Sequence, residues 1–482
     1  MSARSSNGSA FRRRPFHEEK PMYHLRCQPA SAAPVASRRP TAARRPPFRH
    51  RPAARRGWKA LAATAAGLVL ISGIVVAMAG FRPSSREELR SQPVAPRPRV
   101  ALRPLARTDV QGLIAGVNVL NRADSRVEFQ HGPACFTLQT TLDADLQQAL
   151  VPRLDRRNSR YIGIVAMEPT EGRVLAMAGY DKSNPDGNPC LDSRFPAASI
   201  FKIITAAAAV ETHDLNPGDM LRFAGDRYTL YKSQINARPP KNANQLSLKD
   251  SFAQSVNPVF GRLGANLLGR DVIEAYAEAF GFNREIEFEL PLRPSRIKLA
   301  DGAFELAEVA SGYNRTTRIS PLHGAAMVAA ILNQGRWVEP TIVDWVSNDA
   351  GQTIYQSRTL YRDQTIDRDT AKVLRQLMQA TVQSGTAHRE FQKHHGDKVL
   401  SRLEIGGKTG SMGDGTGETR YDWFVGYARE PLRSKQLVVA VVVAHEGFIG
   451  TRAAAYAVMA MKGYFQDPPG VLHTQVPPPP RS

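Results

Sequence analysis

Hydrophobic positions divide this chain into one uncharged block, a helix-patterned middle and paired β-type runs at either end of its C-terminal part. Residues 60–81 are 22 positions without a charge. As a helix at ~1.5 Å per residue they reach about 33 Å, enough to cross a bilayer. Residues 163–170 and 172–179 are apolar, β-branched arms around a polar turn at 168–172, the pattern of a β-hairpin. Residues 422–427 and 437–444 predict a second hairpin. Between them, residues 199–211 carry Ala, Ile and Val at helical spacing, and 206–330 is helix-rich by pattern. Residues 246–256 read as an apolar helix broken by Pro258, and 453–464 as a closing helix. Strands at both ends with helices between predict a mixed α/β fold with a mainly antiparallel sheet.

Charge separates the ends of the chain. The formal net charge is +20, and residues 1–59 hold 15 Lys or Arg against two acids, Glu18 and Glu19. Rich also in Pro, Ser and Ala, this tail cannot build a core and is expected to be disordered. A nucleic-acid arm is the sharper reading of such a tail. The apolar block that follows favours a membrane instead, so no nucleic acid is expected. Basic residues on its N-terminal side place the tail in the cytoplasm, near anionic headgroups, and the C-terminal part outside. Ala77-Met78-Ala79 has the form of a signal-peptidase site, but the long leader favours an uncleaved signal anchor over 60–81. Residues 82–132 are expected to be a stalk, in which Val110, Leu113, Ile114, Val117 and Leu120 repeat at helical spacing. Residues 467–482, with Pro477 to Pro480, read as a flexible end.

Three short motifs carry the chemistry: Ser199-Ile-Phe-Lys202, Ser255-Val-Asn257 and Lys408-Thr409-Gly410-Ser411, separated by 56 and 153 residues. A Ser three residues before a Lys arises by chance roughly once in a chain this long, as at Ser295 and Lys298. Order and flanks give the set its specificity. Serine is a poor nucleophile at neutral pH and needs a base in reach. On a helix, Lys202 lies one turn from Ser199, and an apolar environment lowers its pKa toward that of a base. The helix N-terminus favours a developing oxyanion. Ser255 can relay a proton, and Asn257 can hold a peptide group through its amide. Gly406-Gly407-Lys408-Thr409-Gly410-Ser411 reads as a strand whose glycines let another backbone approach, with Lys408, Thr409 and Ser411 suited to a carboxylate.

These motifs in this order resemble those of penicillin-binding proteins, the serine D,D-transpeptidases. The resemblance runs from about Cys135 to Gln466. Within it, 136–143 resembles the entry strand, 144–149 the first helix, and 384–387 a segment that precedes the Lys-Thr-Gly strand. It implies a five-stranded sheet flanked by helices beside an all-α subdomain, with Ser199 at their junction. It implies Ser199 as nucleophile, Lys202 as its base, and Ser255 and Lys408 in proton transfer. Asn257, Thr409, Gly410 and Ser411 would bind substrate, with an oxyanion hole at the backbone N–H groups of Ser199 and Ser411. Relatives more often carry Thr at the position of Ser411. The domain is thus expected over 133–466, and the 51 residues before it are too few for the glycosyltransferase domain of bifunctional relatives.

The expected reaction cross-links peptidoglycan stem peptides and is blocked by β-lactams, without cofactor or metal. The alternatives are a D,D-carboxypeptidase or β-lactamase, or an idle β-lactam-binding scaffold or sensor in a wall-synthesis complex. Cys27 would be cytoplasmic. Cys135 and Cys190 would lie outside, either bridged or as two thiols. His388, His394, His395 and Asp397 lack ligand spacing and read as a solvated loop.

Overall fold

The computed structural model describes residues 105–236 and 238–466. The basic tail, the 60–81 span and the 467–482 end lie outside the described residues. Among the described residues no helix is long and apolar enough to cross a membrane.

The central element is a five-stranded, wholly antiparallel sheet. Its strands are β1 (Ser159–Glu168), β2 (Arg173–Asp181), β3 (Glu404–Gly413), β4 (Thr419–Arg429) and β5 (Gln436–Glu446), ordered β3-β4-β5-β1-β2. The two predicted hairpins are thus β1–β2 and β4–β5, paired through β5 and β1. β5 reads as a continuous apolar run because both of its faces are covered. Val438, Ala440, Val442 and Ala444 enter the main core, while Val439, Val441 and Val443 enter a second one beneath Tyr456 and Met461. β3 is an edge strand.

The helices include, in chain order, α1 (Lys202–His213), α2 (Leu248–Ala253), α3 (Asn257–Arg262), α4 (Ala303–Ser311), α5 (Pro321–Leu332), α6 (Arg368–Gln383) and α7 (Ala453–Phe465). α5, buried along its whole length, lies on one face of the sheet, and α7 lies on the other. The middle of the chain is helix-rich, as expected, but includes a small hairpin, Met220–Phe223 with Asn244–Ser247.

Two expectations are corrected. Residues 246–256 are not one helix: Leu246 lies in that hairpin, α2 ends at Ala253, and Ser255 adopts φ +59°. Nor is all of 82–132 a stalk. Arg126–His131 pairs with Ala134–Thr140 in a four-stranded sheet with Val343–Asn348 and Thr353–Gln356. The predicted helix is only Arg107–Leu113, and Val110, Ile114, Val119 and Val127 are buried in the main core. Arg107 is fixed by buried Glu289, Nε to Oε1 3.1 Å. Glu289 also accepts from Thr341 Oγ1 (2.7 Å), Ile342 N (3.1 Å) and Tyr355 OH (3.3 Å). The folded unit therefore begins well before residue 133.

Candidate active site

Ser199 is held by a tightly pinned turn at the start of α1. Phe195–Pro196 pairs with Arg318–Ile319, and Trp423 Nε1 of β4 donates to the Pro196 carbonyl at 2.9 Å. Ala198 then takes φ +48°, a left-handed conformation that costs a non-glycine residue about 1–3 kcal/mol and clusters at functional sites. A 3₁₀ turn, Ala198–Phe201, leads into α1. Two glycines make room for this turn. A Cβ on Gly312 would lie 1.9 Å from the Ala198 carbonyl oxygen, and one on Gly410 would lie 3.3 Å from the Ser199 nitrogen.

Lys202 is fully buried and surrounded by three oxygens. Its Nζ lies 2.8 Å from Ser199 Oγ and 2.7 Å from Asn257 Oδ1, and it donates to the carbonyl of Ser311 at the end of α4. Burial, helped by the charge of Lys408, holds the amine well below the ordinary lysine range. A neutral amine has two N–H donors and one lone pair. Spending the donors on Asn257 and Ser311 turns the lone pair toward the Ser199 hydroxyl.

Lys408 is also fully buried, and burial pushes its pKa down to about 7. Its Nζ donates to Ser255 Oγ at 3.0 Å and to the Thr409 carbonyl at 2.9 Å. The two amines share an aromatic floor. Lys202 Nζ is 5.7 Å from the Phe260 ring centre, Lys408 Nζ is 5.5 Å from that of Phe252, and the rings meet edge to face at 6.1 Å.

Ser255 and Asn257 flank the break between α2 and α3. The Asn257 amide is partly committed: besides accepting from Lys202, it donates through Nδ2 to the Tyr228 carbonyl at 2.8 Å. One N–H and one lone pair remain for a substrate. The glycines of β3 divide by role. Gly410 lets the strand approach the Ser199 turn of the protein itself, where the sequence reading had expected a docking peptide. Gly406 and Gly407 instead clear the rings of Tyr427 and Phe424, where a Cβ would approach to 2.7 and 2.4 Å.

The register shows which backbone groups β3 exposes. Asp414 N donates to Thr419 O, and pairing with β4 is unbroken from Glu404 to Gly413. In an antiparallel ladder each residue turns both its N–H and C=O to one side, alternately. Even-numbered residues therefore face β4, while Ile405, Gly407, Thr409, Ser411 and Gly413 face outward. The Ser411 N–H is directed to the open edge, on the side where Ser199 approaches.

Five contributors escaped the sequence reading. The Ser311 carbonyl and Gly312 act through the backbone. Thr386 hydrogen-bonds Thr409 through their hydroxyls and donates from its N–H to the Ala253 carbonyl at 3.0 Å. Phe252 and Phe260 carry no sign of a site role in residue type or spacing. The segment 384–387 was visible as a family-like stretch, without a role for Thr386. Elsewhere, Cys135 and Cys190 are free thiols, exposed and buried respectively, and Cys190 Sγ donates to the carbonyls of Ile164 and Ala178. Asp397 pairs with Lys462 at 2.6 Å, and among the described residues no three His, Cys, Asp or Glu side chains converge on a metal position.

Comparison with known proteins agrees with this architecture. Stage V sporulation protein D of Bacillus subtilis is 23% identical over 328 residues, 64% of this chain and 49% of its own length. The peptidoglycan D,D-transpeptidase PbpA of Mycolicibacterium smegmatis is 24% identical over 383 residues, 68% of this chain and 73% of its own. The chain thus spans about half of the first relative and about three quarters of the second. Among solved structures, the D,D-transpeptidase domain of a peptidoglycan glycosyltransferase from Eggerthella lenta superposes with TM-score 0.56 at 26% identity, covering 68% of this chain and 82% of that one. Penicillin-binding protein A of M. tuberculosis, as its imipenem acyl-enzyme complex, gives 0.57 at 22% identity, covering 68% and 79%. The family model for the penicillin binding protein transpeptidase domain matches residues 162–462. By that match, which takes in Ser199, the Ser255–Asn257 break and the whole of β3, the chain belongs to the penicillin-binding protein transpeptidase family.

Proposed function

We propose that this protein is a peptidoglycan D,D-transpeptidase that works through a Ser199 acyl-enzyme. The observation that carries the reading is Lys202: a buried amine with two oxygen acceptors fixed and its third position 2.8 Å from a serine hydroxyl. Neutral Lys202 takes the Ser199 proton as Oγ attacks the carbonyl between two terminal D-alanines. A general base of this kind contributes roughly 10²–10⁴ in rate. The developing oxyanion sits between the N–H groups of Ser199 and Ser411, each such donor being worth about 10²–10³. As the C–N bond breaks, Ser255 hands a proton to the departing D-alanine and is refilled from Lys408. Lys408, Thr409 and Thr386 face the terminal carboxylate, while Asn257 and Gly410 admit the peptide beside β3.

The acyl ester is then cleaved by the side-chain amine of a second stem peptide: Lys202 gives its proton back to Ser199 Oγ, the attacking amine sheds one through Ser255 to Lys408, and the cross-link forms. A β-lactam follows the first half of this course, but its leaving group stays tethered, so the ester persists. Support for peptidoglycan as substrate comes from the names of relatives such as PbpA, and support for acylation by β-lactams from the acyl-enzyme complexes of the structural neighbours. The uncharged span at 60–81 supports a single-pass anchor in the cytoplasmic membrane, with the catalytic domain outside and the basic tail on anionic lipid. A wall-synthesis complex is the natural setting for such a domain.

A fluorescent penicillin is expected to label the full-length chain at the peptide containing Ser199 and to leave Ser199→Ala unlabelled. Equal labelling of the two would refute the proposal. Product analysis with a D-Ala-D-Ala peptide, with and without an acceptor amine, distinguishes cross-linking from hydrolysis.

A further inference from the structure

We propose that Arg315 reads a carboxylate on the donor peptide, two to three residues upstream of the carbonyl that Ser199 attacks. The inference rests on the transpeptidase reading and specifies its substrate. It follows from what the open edge of β3 still offers. Of the outward-facing carbonyls, that of Thr409 is taken by Lys408 Nζ at 2.9 Å and that of Gly413 by Arg315 Nε at 2.8 Å. Between them, Ser411 keeps both its N–H and its carbonyl for an incoming chain. With the terminal carboxylate at Lys408 and Thr409, that chain runs antiparallel to β3, and its upstream residues head toward Gly413. Gly413 is two residues beyond Ser411, about 7 Å at ~3.3 Å per residue.

Arg315 stands at that point. It is exposed, on the loop that leaves α4 through Gly312, and it lies against Gly415, where a Cβ would come within 3.4 Å of Nε. Nε is its one hydrogen-bonded nitrogen, and among the described residues no carboxylate is in ion-pair reach of the guanidinium. A planar fork of fixed charge, already oriented by one bond, suits bidentate binding of a carboxylate. Gly413 fixes the fork, and a peptide docked on Ser411 would present its upstream side chains to it.

The test uses the full-length protein and two synthetic donor peptides ending in D-Ala-D-Ala. They differ only in a free carboxylate or a carboxamide at the upstream residue. Wild type is expected to favour the carboxylate by roughly tenfold or more in kcat/KM, the range of a charge-assisted hydrogen bond. Arg315→Gln, which keeps a donor for Gly413, is expected to erase that ratio while labelling by benzylpenicillin stays within about threefold; Arg315→Lys should retain part of it. Equal rates of wild type on both peptides would overturn the proposal. So would an unchanged ratio in Arg315→Gln, or an equal slowing on both peptides, which would make the residue only a clasp on β3. Wild type unlabelled by penicillin would instead remove the underlying transpeptidase reading.

Discussion

Lys202 Nζ lies 2.8 Å from Ser199 Oγ, with its other hydrogen-bonding positions filled by Asn257 and Ser311, so the amine is aimed before substrate arrives. Lys202→Ala is expected to slow acylation by benzylpenicillin by about 10²–10⁴, and Lys202→Arg by as much, because a guanidinium cannot surrender its proton at working pH. In wild type, acylation should rise with pH through the depressed pKa of Lys202 and level off well below the ordinary lysine value. Stopped-flow acylation rates across pH test both. Near-normal rates for the arginine variant, or a rate still climbing at the pKa of a free amine, would remove Lys202 as base.

Lys408 is expected to leave its mark on stability. Its pKa is about 7 when folded against 10.5 for the unperturbed side chain. Between those values the unfolded chain binds a proton that the folded chain does not, so stability rises with pH. Below about 7 the burial cost is complete, and above 10.5 it vanishes. Lys408→Met removes this dependence and adds a constant loss from the unpaired Ser255 hydroxyl. Urea titrations at a series of pH values should show wild type gaining on the variant from neutral pH upward. A constant difference would contradict the shift.

Gly410 and Gly312 separate activity from folding. Gly410→Ala is expected to slow acylation more than tenfold while costing only about 1 kcal/mol, since its Cβ contacts of 3.3 Å ask β3 to yield by a few tenths of an ångström beside Ser199. Gly312→Ala combines φ +67° with a 1.9 Å clash against a backbone carbonyl and should lose at least 3 kcal/mol or fail to fold. Denaturation midpoints and penicillin acylation rates on the same samples decide it. Equal effects on both properties at Gly410 would refute the distinction.

Arg107 tests where the domain begins. Arg107→Met strands the Glu289 carboxylate, whose side chain has no exposure, and is expected to cost roughly 3–5 kcal/mol in denaturant unfolding. Adding Glu289→Leu should recover part of that loss. If Arg107→Met leaves stability unchanged, residues near 105 are peripheral after all.

Cys135 and Cys190 should react very differently. Cys135 is exposed, whereas Cys190 is buried and its thiol is pushed up to about 12. Iodoacetamide at pH 8 is therefore expected to modify Cys135 in the native protein and Cys190 only after denaturation. A peptide pair joined through both residues in an unreduced digest would contradict the free thiols seen here.

Particular residues show why some of this was legible in sequence and some was not. Ser199 and Lys202 could be read together because a helical spacing of three converts directly into proximity. The hairpins at β1–β2 and β4–β5 were visible because strands buried on both faces write long apolar runs. Thr386 was not, since a lone hydroxyl gains meaning only when another loop brings it to Thr409. The Ser311 carbonyl is backbone and leaves no trace in residue type. Gly406 and Gly407 misled because a glycine that clears a neighbouring aromatic ring looks the same as one that admits a ligand. Residues 105–131 passed for a stalk because, of the buried Val110, Ile114, Val119 and Val127, only the first lies in the short helix and the last in a strand, while the other two are buried from turn and loop positions that keep no period.

The outward edge of β3 also bears on how this sheet avoids pairing with other copies of the chain. A bare sheet margin is a template on which other chains add and propagate into aggregates. Here Lys408 and Arg315 take the carbonyls of Thr409 and Gly413, so that from Thr409 to Gly413 only Ser411 keeps both backbone groups for a partner. A short peptide delivering a single carbonyl can use it. A second protein strand, which must zip along several residues to repay its lost entropy, gains too little there to hold on.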